Sequence, residues 1–155
     1  MHINTQHHFD ASPAAVRAML MDPKFWQSLA VGHVNHCDAA QTADGVQVDL
    51  GVQAPAEAKR LTGETLNATL EAAWKPTGDN AWSGPVAIAV KGLPASFSGT
   101  STITPDGEGT SVAYEGDLTI RLPLIGPSLE AKAAPYLLGV LDAQQAAGTL
   151  WLARA

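Results

Sequence analysis

The sequence predicts an α+β protein: a curved antiparallel sheet with one long helix laid across it. The first observation behind this is the alternation of Ser111–Leu124. Val112, Tyr114, Gly116, Leu118, Ile120 and Leu122 share one face, and Ala113, Glu115, Asp117, Thr119 and Arg121 share the other. The second is the change of period that follows. Past Pro123 and Gly126-Pro127, the positions Leu129, Ala133, Tyr136/Leu137, Val140/Leu141, Gln144, Gly148 and Trp151 recur at helical spacing to the C-terminus. The third is order: one strand, two short helices, about six strands, then the long helix over 126–155.

Residues 2–10 form the first expected strand, with Ile3, Thr5, His7 and Phe9 on one face. Ser12 is placed to cap a helix whose first residue is Pro13, and Asp22-Pro23 repeats the signal for a second helix carrying Phe25, Trp26 and Leu29. His33–Ala39 is the next strand. Asp44-Gly45 is a hairpin turn, after which Val46, Val48, Leu50 and Val52 alternate. Pro55–Leu61 favours a helical turn by propensity. A strand over Glu64–Trp74 sets Leu66, Leu70 and Trp74 on one face. Thr77-Gly78-Asp79-Asn80 is a turn, and Val86, Ile88 and Val90 mark a strand ended by Gly92-Leu93-Pro94. Ala95–Thr104 turns Phe97, Gly99, Ser101 and Ile103 one way and a row of Ser and Thr the other. Pro105–Gly109 is the hairpin loop into the last strand.

Composition narrows the function. The 155 residues are enough for one domain over 1–155, and a hydrophobic fraction of 46% makes it globular. A formal charge of −6 with no Lys/Arg cluster argues against a nucleic-acid or anionic-membrane partner, both of which need a positive patch. No segment approaches the roughly 20 apolar residues of a spanning helix, and the start lacks a signal-peptide pattern. Cys37 is the single cysteine, so no intrachain disulfide forms. A cytoplasmic protein is expected.

Four stretches carry a resemblance: Phe9-Asp10-Ala11-Ser12-Pro13-Ala14-Ala15-Val16, Leu20-Met21-Asp22-Pro23-Lys24-Phe25-Trp26, Leu122-Pro123-Leu124-Ile125-Gly126-Pro127-Ser128-Leu129-Glu130 and Trp151-Leu152-Ala153. Together they resemble the START-like (SRPBCC, helix-grip) superfamily, which also holds birch-pollen-allergen-like proteins and polyketide cyclases. Within it they resemble an uncharacterised, mainly actinobacterial family of about this length. The resemblance spans essentially the whole chain. It implies a seven-stranded antiparallel sheet wrapped around the C-terminal helix, with a deep cavity between them. Members bind lipids, sterols, polyketides or other hydrophobic molecules, and some catalyse cyclisation or dehydration. Pro135 departs from a regular helix: an interior proline costs about 3 kcal/mol or more, so a kink is expected near 131–135.

On that plan the expected cavity lining is His7, Phe9, Trp74, Phe97, Ser101, Tyr114 and Leu118 from the sheet, with Ala133, Tyr136, Leu137, Val140 and Leu141 from the helix. His7, Ser101 or Tyr114 would orient a small hydrophobic ligand. Each of these side chains taken singly reads as core. A cyclase or aromatase would need a convergent acid–base pair in the same cavity, for which the sequence offers His7 with Tyr114 or a carboxylate. No Gly-x-Ser-x-Gly is present, Cys37 has no basic neighbour, and no catalytic constellation or cofactor is expected. His33, His36 and Cys37 are the nearest approach to a metal cluster, but strand alternation turns 33 and 36 to opposite faces. Glu130 is expected in the first turn of the last helix, favoured there by the helix dipole. Leu138 and Leu152 lie off the main stripe, which offers an apolar outer face to a second copy of the chain.

Overall fold

The computed structural model describes residues 1–29, 34–54, 56 and 59–154, the side chain of Leu61 excepted. The elements run β1 (His2–Phe9), α1 (Pro13–Met21), α2 (Pro23–Gln27), β2 (Val34–Gln41), β3 (Gly45–Gln53), α3 (Lys59–Thr62), β4 (Thr65–Ala73), β5 (Lys75–Gly78), β6 (Ala81–Val90), β7 (Ala95–Asp106), β8 (Gly109–Ile120) and α4 (Gly126–Ala153). Seven strands pair in the order β1-β8-β7-β6-β4-β3-β2, each antiparallel to its neighbours, and the short β5 pairs with β6. This is the expected α+β sheet around a long C-terminal helix, with two short helices after the first strand.

The helix starts are as the sequence places them. Ser12 Oγ accepts from the Ala15 amide at 3.2 Å and Asp22 Oδ1 from the Lys24 amide at 2.9 Å, each ahead of a proline at the first helical position. Differences lie between the strong signals. The stretch Lys75–Gly78, partly expected as turn, pairs with β6 as β5, and β6 begins at Ala81, ahead of the expected alternation. Arg17 fastens this corner: its guanidinium donates to the Trp74 carbonyl at 3.0 and 3.2 Å and lies 5.6 Å over the Trp82 ring. β8 ends at Ile120, so Leu122 belongs to the loop before α4. His33 and, within the expected turn at 55–61, Pro55, Glu57 and Ala58 lie outside the described residues; that turn's helical end is α3.

β7 and β8 approach closely at one pair of glycines. Gly99 and Gly116 are cross-strand partners, and a Cβ on Gly99 would stand 2.1 Å from the Glu115 carbonyl oxygen. Only glycine permits so close an approach.

α4 holds to the sheet by both ends. Near its C-terminus Gly148 lies against Phe9 and Met19, where an added Cβ would meet Phe9 Cε1 at 2.6 Å. One turn on, the Trp151 and Phe25 rings meet edge to face at 5.7 Å, and Phe25 stacks likewise on Trp26 at 5.8 Å. Near the other end Glu130 holds the helix, by a route other than the expected dipole. α4 begins at Gly126, and no acidic residue stands in its first turn. The Glu130 carboxylate instead accepts from the Ile120 amide and from the Met1 ammonium, both at 3.0 Å. These bonds hold its pKa below the ordinary carboxylate value, the backbone bond most of all. Pro135 does not break the helix, which is continuous past it, with the proline on the exposed side next to buried Ala134. Leu138 and Leu152 pack against the core, so they do not form the apolar outer face expected for a second copy.

Two outcomes follow for stability. Gly148→Val should force Phe9 and Met19 apart and cost about 1–3 kcal/mol, read as a lowered Tm. Glu130 has a lowered folded-state pKa, so its stabilisation is present above the unfolded carboxylate pKa and is lost as pH falls through the folded value. Glu130→Gln should therefore lower stability at neutral pH and flatten the acid limb of a stability–pH curve below about pH 4. Parallel wild-type and variant acid limbs would contradict the brace.

Candidate functional site: an apolar cavity under the C-terminal helix

The inward faces of the strands follow from their alternation, and α4 covers them unevenly. Its C-terminal half sits close to β1, β8 and α1. Its first half spans a cavity of about 180 Å³. The floor is built by Leu50 and Val52 of β3, Leu66, Ala68 and Leu70 of β4, Ile88 and Val90 of β6, Ala95 and Phe97 of β7, and Leu118 and Ile120 of β8. Cys37 of β2, Trp26 and Leu29 close one side. Leu129, Ala133, Tyr136, Leu137, Val140, Leu141 and Gln144 form the roof. Among the described residues Lys132 is the single charged side chain in the lining, and Cys37, Ser96, Tyr136 and Gln144 carry the other side-chain polar atoms apart from the Trp26 indole. That indole donates to the Leu20 carbonyl at 2.7 Å and turns only its ring inward.

Of the residues expected to line a cavity, the structure brings Phe97, Leu118, Ala133, Tyr136, Leu137, Val140 and Leu141 together around this one. Tyr136 stands at the rim, 51% exposed. His7, Phe9, Trp74, Ser101 and Tyr114 point inward as expected but do not line the cavity; all five are buried in the filled half of the interior. The reason is the approach of α4 at Gln144–Gly148, which leaves no space between helix and sheet there. Trp26, Cys37, Leu50, Leu66 and Gln144 were not singled out from the sequence. Leu50 and Leu66 carried the signal of inward alternation, Gln144 that of the helical stripe.

The boundary between the two halves is polar. Trp74 Nε1 donates to Ser101 Oγ at 2.9 Å, and the Tyr114 hydroxyl donates to Gln144 Oε1 at 2.8 Å. Ser101 and Tyr114 are cross-strand partners. Burial pushes the Tyr114 phenol up to about 12, against the opposing pull of its bonds to Gln144 and Ser101. His7 lies edge-on to the Tyr114 ring, with centroids 6.3 Å apart, and its Nε2 stands 3.3 Å from Asp142 Oδ1. The polar partner of this buried histidine thus comes from α4. His7 Nδ1 is buried with no partner.

His36 and Cys37, adjacent on β2, point to opposite faces: His36 outward over Gly51, Cys37 into the cavity. Among the described residues no group of three His, Cys, Asp or Glu converges as metal ligands, and no helix is long and apolar enough to cross a membrane. Burial raises the Cys37 thiol to about 11, helped by the neighbouring Asp38 charge.

A curved antiparallel sheet gripping one long C-terminal helix is the helix-grip fold. The chain belongs to the family described as "Protein of unknown function (DUF2505)", matched over residues 4–152. Among solved structures it is similar to the Zhui aromatase/cyclase from Streptomyces sp. R1128, at 15% identity and a TM-score of 0.68, covering 99% of this chain and 94% of that one. A START superfamily protein from Mycobacterium smegmatis aligns at 17% identity and a TM-score of 0.60, covering 94% of each chain. The birch-allergen-like Ara h 8.0201 aligns at 8% identity and a TM-score of 0.57, covering 96% of this chain and 97% of that one. These likenesses establish the fold. No curated protein matches the sequence.

Cys37 offers a direct reading of the cavity. A thiol raised to about 11 should alkylate slowly at neutral pH, with the rate climbing toward that value. A molecule seated in the cavity should slow it at least severalfold further. Rapid labelling at neutral pH, followed by mass spectrometry, would contradict this burial.

Proposed function

We propose that this protein binds a small hydrophobic molecule, a lipid, polyketide or similar compound, between the sheet and the first half of α4. One observation carries the reading: the fold keeps an apolar space of about 180 Å³ beneath a helix that packs tightly elsewhere. At about 24 cal/mol per Å³, a hole of that size left empty costs on the order of 4 kcal/mol. A ligand that fills it recovers those contacts. The space is smaller than the roughly 300–1,000 Å³ of ordinary ligand pockets, which favours a compact ligand of one to three rings or a short acyl chain. That members of the superfamily include an aromatase/cyclase supports the same cavity as the place of binding.

The cyclase reading itself gains little support from the geometry. His7 and Tyr114 do face each other, but in the filled half, with His7 beside Asp142 and the phenol bonded to Gln144. Neither group lines the cavity.

The test is displacement of an environment-sensitive fluorophore by a panel of compact lipids and aromatic polyketides, run on wild type, Ala133→Trp and Val140→Trp. Both positions are half-buried on the roof, so an indole there fills the space without rebuilding the core. At least a tenfold loss of affinity is expected, with the circular dichroism spectrum unchanged. Full affinity in both folded variants would place binding elsewhere.

A further inference from the structure

The polar boundary of the cavity has a direction, and the direction selects a ligand chemistry. An indole N–H only donates, so Ser101 Oγ accepts from Trp74 Nε1. The Tyr114 hydroxyl, across the strands from Ser101, donates to Gln144 Oε1 at 2.8 Å. That bond fixes the orientation of the terminal amide. Its oxygen is used inward, and its nitrogen is the free end. Gln144 is 2% exposed yet lines the cavity. Among the described residues its Nε2 has no hydrogen-bond acceptor, and it is not among the polar atoms sealed off inside the protein.

From this we infer that the cavity takes an apolar ligand bearing a carbonyl oxygen, received by the Gln144 amide N–H at the boundary between the filled and open halves. The inference rests on the binding reading above and adds the chemical class. A carbonyl is suited because it only accepts. A hydroxyl could accept as well, but its proton would need an acceptor of its own, and apart from Gln144 only Cys37, Ser96 and Tyr136 among the described lining residues carry a side-chain atom that could serve. A hydrocarbon of the same shape leaves the buried amide unpaired, and an unmade hydrogen bond at a buried group is costly.

The experiment compares fluorenone, fluorenol and fluorene, three flat molecules of nearly equal size, by displacement of the same fluorophore. Fluorenone is expected to bind about tenfold more tightly than fluorene, with fluorenol between them. The carbonyl stretch of bound fluorenone is expected at lower wavenumber than in hydrocarbon solvent, as for a hydrogen-bonded ketone. In Gln144→Leu the preference and the infrared shift should both vanish while fluorene affinity persists. If that variant does not fold, the wild-type ranking and infrared spectrum decide alone. Fluorene and fluorenone binding equally, or an unshifted carbonyl, would overturn the inference and leave the cavity as a site for apolar molecules at large. Binding of none of the three to wild type would overturn both readings.

Discussion

The fold depends on how α4 is tied at two distant points by two different kinds of interaction. At one end a carboxylate does the work: Glu130 joins the last residue of β8 and the chain's own N-terminus. At the other end a missing side chain does it, since Gly148 lets the helix backbone settle on Phe9 and Met19. The two anchors are 18 positions apart, about 27 Å of helix. Gly148 brings the helix into contact with Phe9 and Met19, while between the anchors Ala133, Leu137 and Val140 roof the cavity without filling it. The cavity follows from the anchors; no single strand position creates it.

One continuous inward face therefore behaves as two. On β8, Tyr114 and Leu118 point the same way two alternations apart, with Gly116 between them. Tyr114 meets the helix at Gln144 and is sealed. Leu118 meets the cavity. The same division runs across β7 between Ser101 and Phe97. Polar side chains gather at the junction, where helix and sheet are close enough for Tyr114 to donate to Gln144 and for His7 to reach Asp142.

How much of this was legible depended on the length scale of the signal. Period-two alternation in β1, β3, β7 and β8 and the proline-led caps at Ser12 and Asp22 are local, and they assign the elements and their inward faces. β5 and the start of β6 were not legible, because Trp82-Ser83-Gly84-Pro85 carries no alternation and its glycine and proline read as turn chemistry. Glu130 misled for the same reason: its partners, Ile120 and Met1, lie 10 and 129 positions away, so local reasoning could only offer it the helix dipole. The site was half legible. Alternation sorts inward from outward, but His7, Phe9, Trp74, Ser101 and Tyr114 satisfy it as well as Phe97 and Leu118 do. Separating core from lining requires knowing where α4 comes down on the sheet, at Gln144 and Gly148, which no window of sequence contains.

The physical role of the junction is larger than its size. Apolar walls hold any molecule of suitable volume, and a methylene more or less changes affinity only about ten- to two-hundredfold. A buried donor with a fixed orientation discriminates differently, by penalising whatever fails to pair with it. The Tyr114 hydroxyl, donating at 2.8 Å, occupies the amide oxygen of Gln144, so the nitrogen is the end left for the cavity. A reversed amide would set its N–H against the phenol oxygen and oblige Tyr114 to donate elsewhere. The strand face that places Ser101 opposite Tyr114, and Tyr114 against Gln144, therefore sets the polar edge of the cavity's inner wall.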